Sequence, residues 1–185
     1  MPKENELRKV LEIAIPSTVA WIGHIGYNIA DNIMAGKILG SAALATSGIA
    51  TSIYFMFLTF GAGSTGILTA LISERVAKKE KDGATFVFQN GLIFCATLGA
   101  LISLLLFFLS DYIVDLVNRQ KAIEMEIKLF LKTLSLCPFF ITIFFAFERL
   151  TEGVNRTKIA MYTVFLCNIL NIIFNYIFLK HFKMG

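Results

Sequence analysis

The chain has 185 residues, of which 56% are hydrophobic and only 16% are charged, with a formal net charge of +4. Soluble globular domains carry about 25% charged residues, so this composition excludes an ordinary soluble enzyme, a disordered chain and a nucleic-acid-binding module. Charged side chains are absent from residues 38–73, 83–110, 133–147 and 159–179. Several of these runs exceed the roughly 18–20 apolar residues that cross a ~30 Å hydrocarbon core, which predicts an all-α, polytopic membrane protein.

Five transmembrane helices are predicted, and polar or glycine-containing segments separate them. The second contains Gly61, Gly63 and Gly66, which would allow a bend or close helix contact, and a polar connection over residues 111–121 follows the third. The fourth should begin at the membrane interface and enter the bilayer near Leu134. The predicted spans cover residues 10–35, 42–76, 84–109, 129–149 and 159–179.

The distribution of basic residues predicts the orientation of these spans. Cytoplasmic loops of membrane proteins carry an excess of Lys and Arg, and the N-terminal tail, the connection over residues 77–83 and the one before the fifth span are the basic sections. They contain ten of the 17 Lys and Arg residues if the ends of the adjoining helices are included. We therefore predict a multi-pass protein of the cell membrane with a cytoplasmic N-terminus.

Sequence motifs for catalysis are absent. The chain contains no HExxH, GxSxG, CxxC or glycine-rich phosphate-binding motif, so we expect neither an enzyme nor a bound cofactor. Cys95, Cys137 and Cys167 each lie inside an apolar run and are interpreted as small buried side chains.

The first span carries polar side chains that a membrane helix should not contain without a reason. His24, Tyr27, Asn28 and Asp31 are spaced three, four and seven residues apart, which places them on one helix face. Asp31 could be hydrated near the interface, or it could be a buried carboxylate that lines a polar cavity and exchanges a proton. His24 could likewise be a hydrogen-bonded structural group or a proton carrier.

The fifth span carries a second polar stripe. Asn168, Asn171 and Asn175 share one helix face. Asparagines in membrane helices commonly join neighbouring helices by hydrogen bonds. Three in register also form a row of amide oxygens that could orient a carboxylate or bind a small cation such as sodium.

Four segments resemble the multidrug and toxic compound extrusion (MATE) family. Residues 27–36 (YNIADNIMAG), which follow Pro16, resemble its first helix, and residues 89–92 (QNGL) fit its third. Residues 152–161 (EGVNRTKIAM) and 168–176 (NILNIIFNY) are similar to its fourth-to-fifth connection and its fifth helix. The order and spacing of these four segments are together specific to the family.

The resemblance implies secondary active transport. Members have two six-helix lobes and export organic, often cationic, drug-like compounds in exchange for protons or sodium. By the resemblance, Asp31 is the coupling-ion carboxylate, Asn171 and Asn175 complete that site, and His24, Tyr27, Asn28 and Asn168 are candidate cavity-lining residues. Some members have aspartate at the position of Asn175, so its absence here leaves the choice between proton and sodium open.

The length of the chain differs from that of the family. Five spans would form most of the N-terminal lobe, so the resemblance implies that the sixth helix and the C-terminal lobe are missing partners of this chain in the lipid bilayer. Two alternatives remain: a flippase for lipid-linked oligosaccharides or polysaccharides from the same superfamily, and a non-transporting membrane scaffold subunit. The scarcity of Lys and Arg within the spans argues against a flippase, which usually needs a cationic cavity.

Overall fold

The chain folds into a bundle of helices. A computed structural model describes residues 2–117 and 121–182, and within these ranges it contains no strand. A 3-10 turn at Lys121–Ile123 precedes α5, and a π-helical turn at Ile177–His181 extends α7. The helices are α1 (Pro2–Ile38), α2 (Ser41–Thr65), α3 (Ile67–Ala77), α4 (Lys81–Val117), α5 (Glu124–Leu134), α6 (Cys137–Gly153) and α7 (Thr157–Tyr176).

Several helices are long and apolar enough to cross a membrane. In the described residues these are Ser41–Ala77, Lys81–Val117 and Thr157–His181, and α5 with α6 form a fourth if they are taken as one broken span. The prediction of an all-α polytopic membrane bundle is confirmed. By length and composition α1 does not meet the same standard, because the polar side chains around Asp31 lower its mean hydropathy, so its membrane crossing stays a prediction.

The second and fourth predicted spans are each built from two helices. α2 and α3 meet at Gly66, whereas α5 and α6 are bent by 42° at a break. That break follows Leu134, where the chain was expected to enter the bilayer, and Pro138 lies in the first turn of α6, a position that does not require a backbone N–H. The fourth predicted span, over residues 129–149, is therefore divided between α5 and α6.

The third predicted span is longer than expected. α4 continues through Val117, so most of the predicted polar connection over residues 111–121 is helical, and residues 118–120 lie outside the described part of the chain. The helix continues because its last turns face α5: Lys132 Nζ lies 2.6 Å from Asp111 Oδ2, and Lys128 pairs with Asp115. Asp111 and Asp115 are thus inter-helix partners, not loop charges.

The interior of the bundle centres on α4 and α6. A Cβ atom at Gly99 would lie 2.0 Å from Thr142 Oγ1 and 2.9 Å from the Phe139 Cα, so glycine permits this close approach. Gly61 also faces this region, whereas a Cβ at Gly63 would meet nothing within 4 Å. The apolar core around this contact contains Ala50, Ile53, Tyr54, Leu58, Leu106, Val114, Ile127, Leu131 and Phe145.

Candidate functional site

α1 and α7 pack closely through small and polar side chains. A Cβ at Gly23 would lie 2.5 Å from Val164 Cγ1, so the two backbones approach each other there. Asn168 Nδ2 lies at this crossing and donates to the carbonyl oxygens of Gly23 and of Val164, both at 3.0 Å. Asn168 was a candidate cavity-lining residue, and the structure gives its amide a helix-packing contact.

Two helical turns after Asn168 on α7, the structure brings together the three predicted ion-coupling residues. Asn175 Nδ2 donates to Asp31 Oδ1 at 2.5 Å and lies 3.4 Å from Asn171 Oδ1. Neither helix alone specifies this arrangement, since Asp31 is 144 residues from Asn175 in the chain. The spacing of four between the asparagines and the packing of α1 on α7 produce it together.

Asp31 is exposed in the described chain, while Asn171 and Asn175 are half-buried. Of the two alternatives for Asp31, a hydrated and a buried carboxylate, the exposure seen in the described residues agrees with the first. An amide N–H donated to a carboxylate stabilises its ionised form. The Asp31 carboxylate and the single side-chain oxygen of Asn171 both lie beside the Asn175 amide, and oxygen atoms of this kind suit a proton or a small hard cation.

Residues on the polar face of α1 contact two different neighbouring helices. Tyr27 and Asn28 are half-buried, and the Tyr27 ring stacks beside His24 with 6.5 Å between ring centroids. His24 Nε2 lies 3.2 Å from Glu148 Oε1 of α6, whereas Asp31 contacts α7. Seven residues of helix rise by about 10 Å, so side chains on one face meet different neighbours along the axis.

Sequence reasoning missed a group of charged side chains in the last turns of α6. Glu148 and Arg149 lie near the end of the fourth predicted span, and both are buried. The spacing of residues 145, 148, 149 and 152 could have indicated this burial, because it places the charged residues on the same helix face as the buried Phe145. We call this group and its contacts the α6 charge cluster: His24, Thr69, Glu148, Arg149 and Glu152.

Charged and hydrogen-bonding contacts join the members of the α6 charge cluster. Arg149 Nη1 lies 2.6 Å from Glu152 Oε2, and Arg149 Nη2 lies 3.8 Å from Glu148 Oε2. The Thr69 hydroxyl donates to Glu152 Oε2 at 3.0 Å, which links α3 to α6. In the described residues no group of three or more His, Cys, Asp and Glu side chains could hold a metal ion.

Comparison with known proteins identifies the family. The model of the MatE family matches residues 16–177. The chain belongs to this family. The MatE match confirms the resemblance seen in the sequence, whereas the absence of catalytic activity stays a prediction.

Curated relatives carry names that refer to multidrug resistance. The chain is 30% identical to the probable multidrug resistance protein NorM of Pasteurella multocida, over 97% of this chain and 38% of that protein. It is 25% identical to the multidrug resistance protein NorM of Vibrio cholerae over 95% of this chain, and 27% identical to MdtK of Cronobacter sakazakii over 97%. The chain thus spans only 38% or 39% of the length of these relatives.

Solved transporter structures share the fold. A transporter of the MOP superfamily from Pyrococcus furiosus superposes with a TM-score of 0.86 at 21% identity, over 96% of this chain and 39% of that one. An outward-facing multidrug resistance MATE family transporter of the same superfamily matches equally well. The Pyrococcus protein is described as having a binding pocket of reversed polarity that suggests a different function, so the shared fold does not specify a substrate.

Proposed function

We propose that this chain forms the N-terminal transmembrane lobe of a multidrug efflux antiporter in the cell membrane. The transporter would export organic, often cationic, compounds in exchange for protons or sodium. Membership of the MatE family and the multidrug resistance names of the relatives support this proposal. The rest of the length of those relatives would supply the sixth helix and the C-terminal lobe, which this lobe needs as partners for alternating access.

The observation that carries this proposal is the contact of Asp31 with the Asn175 amide of α7. An ionised Asp31 accepts the hydrogen bond from Asn175 at 2.5 Å. Binding of a proton or cation to Asp31 neutralises the carboxylate, which weakens the attraction between that carboxylate and the amide N–H. Ion binding on α1 would therefore change how strongly the outer parts of α1 and α7 hold together.

Protons and sodium would use the site differently. A proton needs only an Asp31 oxygen, whereas sodium needs several oxygen ligands, which Asp31 and the Asn171 carbonyl could contribute. Because the only carboxylate of the three residues is Asp31, each turnover would neutralise one negative charge in this lobe in either case. Transport measured against pH and against sodium concentration distinguishes the two ions.

The decisive experiment compares two aspartates in the gene product that carries this chain. Expressed in a drug-hypersensitive bacterial strain, it should confer resistance to organic cations and export a fluorescent cation. Asp31→Asn should abolish both at equal expression, because the amide cannot bind a proton, whereas the control Asp111→Asn should retain both. Normal export by Asp31→Asn would remove the coupling role, and the absence of any export by the wild type would overturn drug efflux.

We propose that the N-terminus and residues 78–82 are cytoplasmic. The test introduces a single cysteine at Lys79 or at Met125 after replacement of the three native cysteines, followed by treatment of intact cells with an impermeant thiol reagent. Both side chains are exposed in the structure. The cysteine at Met125 should react and that at Lys79 should not, and the reverse pattern would invert the topology.

The flippase alternative is less well supported. Arg149 is the single buried cationic side chain in the described residues, and it is paired with Glu152. A cation that already contacts two carboxylates cannot easily bind an anionic lipid-linked sugar. Export of organic cations without effect on polysaccharide assembly would separate the two functions.

A further inference from the structure

The α6 charge cluster is buried inside the lobe, away from Asp31. The side chain of Glu148 is 2% exposed, and that of its partner His24 is 23% exposed. Glu148 Oε2 and Arg149 Nε are buried without a hydrogen-bond partner in the described residues. A carboxylate oxygen in this situation needs a compensating charge or proton, because burial of an uncompensated charge is costly.

The formal charges of the α6 charge cluster do not balance. Glu148 and Glu152 contribute two negative charges and Arg149 contributes one positive charge, so the cluster carries a net charge of −1 when His24 is neutral. Glu152 has the shorter contact with Arg149, at 2.6 Å against 3.8 Å for Glu148. Uptake of one proton by the His24–Glu148 pair makes the cluster neutral.

The surroundings of His24 favour a proton over a metal ion. The rings of Trp21, Tyr27, Phe144 and Phe145 lie within 6.5 Å of the His24 ring, centroid to centroid. The guanidinium of Arg149 lies 5.9 Å from the centroid of the Trp21 ring. These aromatic side chains offer a cation no carboxylate or imidazole ligand, whereas a proton needs only the His24 nitrogen and the Glu148 oxygen that are already 3.2 Å apart.

Other titratable groups on the adjoining helices do not supply the missing positive charge. On α4, Cys95 is buried beside Arg149, and on α2 the titratable residue is Tyr54. On α3, Arg75 pairs with Glu80, and Glu74 pairs with Lys78, at the exposed end of the helix. On α7, the ionisable residues are Lys158, which is exposed, and Tyr162, Cys167 and Tyr176.

We propose that His24 and Glu148 form a second proton-binding site of this lobe, in which the His24 imidazole carries the proton and the Glu148 carboxylate holds it. Histidine is suited to this role because its charge changes within the physiological pH range. The protonated pair joins α1 to α6 by a charged hydrogen bond, and release of the proton leaves a weaker, neutral contact. The site does not involve Asp31, so it holds whether or not Asp31 couples transport.

The test uses nuclear magnetic resonance of the 185-residue chain in lipid nanodiscs with isotopically labelled histidine. The chain contains two histidines, His24 and His181, so His181→Gln leaves one imidazole signal to follow between about pH 5 and pH 8. In the parent chain His24 should take up a proton and keep it to higher pH than His181. An imidazole that stays neutral over this range would overturn the proposal.

Substitution of the partner identifies what holds the proton. Glu148→Gln should move the His24 titration midpoint to lower pH by about one unit or more, a tenfold loss of proton affinity, whereas Glu148→Asp should largely restore it. Glu12→Gln, an exposed carboxylate on α1, and Asp31→Asn should leave the midpoint unchanged. An unchanged midpoint in Glu148→Gln, or an equal shift in Asp31→Asn, would refute the assignment. If Glu148→Gln does not fold, the titration midpoints of His24 and His181 in the parent chain decide whether the proposal holds.

Discussion

The helix pairs α4–α6 and α1–α7 both pack closely, but by different means. α4 and α6 meet at Gly99 in the buried interior, where the atoms that a Cβ would strike include the backbone of α6. α1 and α7 meet at Gly23 and are joined by asparagine side chains. Asp31, two turns further along α1, is exposed. A Cβ at Gly99 would strike the α6 backbone, whereas a Cβ at Gly23 would strike only the Val164 side chain, which can move. Hydrogen bonds from Asn168 and Asn175 also join α1 and α7, and these can be remade.

This difference suggests which part of the lobe is rigid. Close-packed interiors do not deform continuously, so α4 and α6 should move as one unit. A hydrogen bond between an exposed carboxylate and an amide has a small net free energy, and a change of charge at Asp31 can shift it. The polar pair α1–α7 is therefore the better place for an ion-dependent movement.

The largest loss of stability is expected for Arg149→Met. Removal of the guanidinium leaves the buried Glu148 and the half-buried Glu152 without their cation, and breaking a buried ion pair in this way costs about 3–5 kcal/mol. The control Arg75→Met breaks an exposed pair with Glu80, which contributes about 1 kcal/mol at most. Thermal unfolding of both variants in detergent tests this, and equal losses would show that the α6 charge cluster is not structural.

Gly99→Ala should have the next largest effect. The new methyl group would strike Thr142 and the α6 backbone, and overpacking of this kind costs about 1–3 kcal/mol. Gly63→Ala is the matched control, since a methyl group there meets nothing within 4 Å and the change should be neutral or slightly stabilising. Unfolding midpoints of the two variants measure the difference, and a stable Gly99→Ala variant would contradict the rigid contact.

A comparison of Asn168→Leu with Asn175→Leu should distinguish a helix-packing asparagine from an ion-coupling asparagine on α7. Asn168 joins the two backbones, so its loss should lower stability by about 0.6–2 kcal/mol without a change in ion dependence. Asn175 contacts Asp31, so Asn175→Leu, and to a smaller degree Asn171→Leu, should alter the dependence of efflux on pH or sodium. Efflux profiles of the three variants, measured against pH and against sodium concentration, test this. Unaltered profiles in all three would leave the asparagines as packing residues only.

The smallest change in stability is expected for Asp31→Asn. The side chain is exposed, and the substituted amide oxygen can still accept the hydrogen bond from Asn175, so the free energy of unfolding should change by less than about 1 kcal/mol. The same substitution should abolish coupled export. A large loss of stability would instead indicate that Asp31 holds α1 to α7, and the export defect would then need another explanation.

Periodicity within single helices predicted much of the candidate site. The spacing of Asn171 and Asn175 placed two amides on one face of α7. The spacing of the polar residues of α1 identified the face of α1 that carries Asp31. The MatE match confirms the family that four segments of the sequence resemble. The break after Leu134 was also foreseeable, because charged and apolar residues alternate before it and Pro138 follows it.

Two features could not be read from one segment at a time. The division of the α1 face between α6 and α7 depends on which helices lie beside His24 and Asp31, and those neighbours are more than 100 residues away in the chain. The burial of Glu148 and Arg149 depends on α3 and α4, which pack on α6, and on the His24 and Trp21 side chains of α1. A charge near a helix end looks exposed in sequence, because only the packed neighbours exclude water from it.

The amino-acid sequence by itself determined that this chain is a bundle of membrane helices, and it determined which side chains share a face on α1 and α7. Hydropathy and helical spacing are local properties, and they need no knowledge of neighbouring helices. Only the tertiary structure decided that Asp31 is exposed beside Asn175 while Glu148 is buried against His24. Burial and pairing are properties of the assembled helices, since each requires surfaces that are distant in the chain to meet.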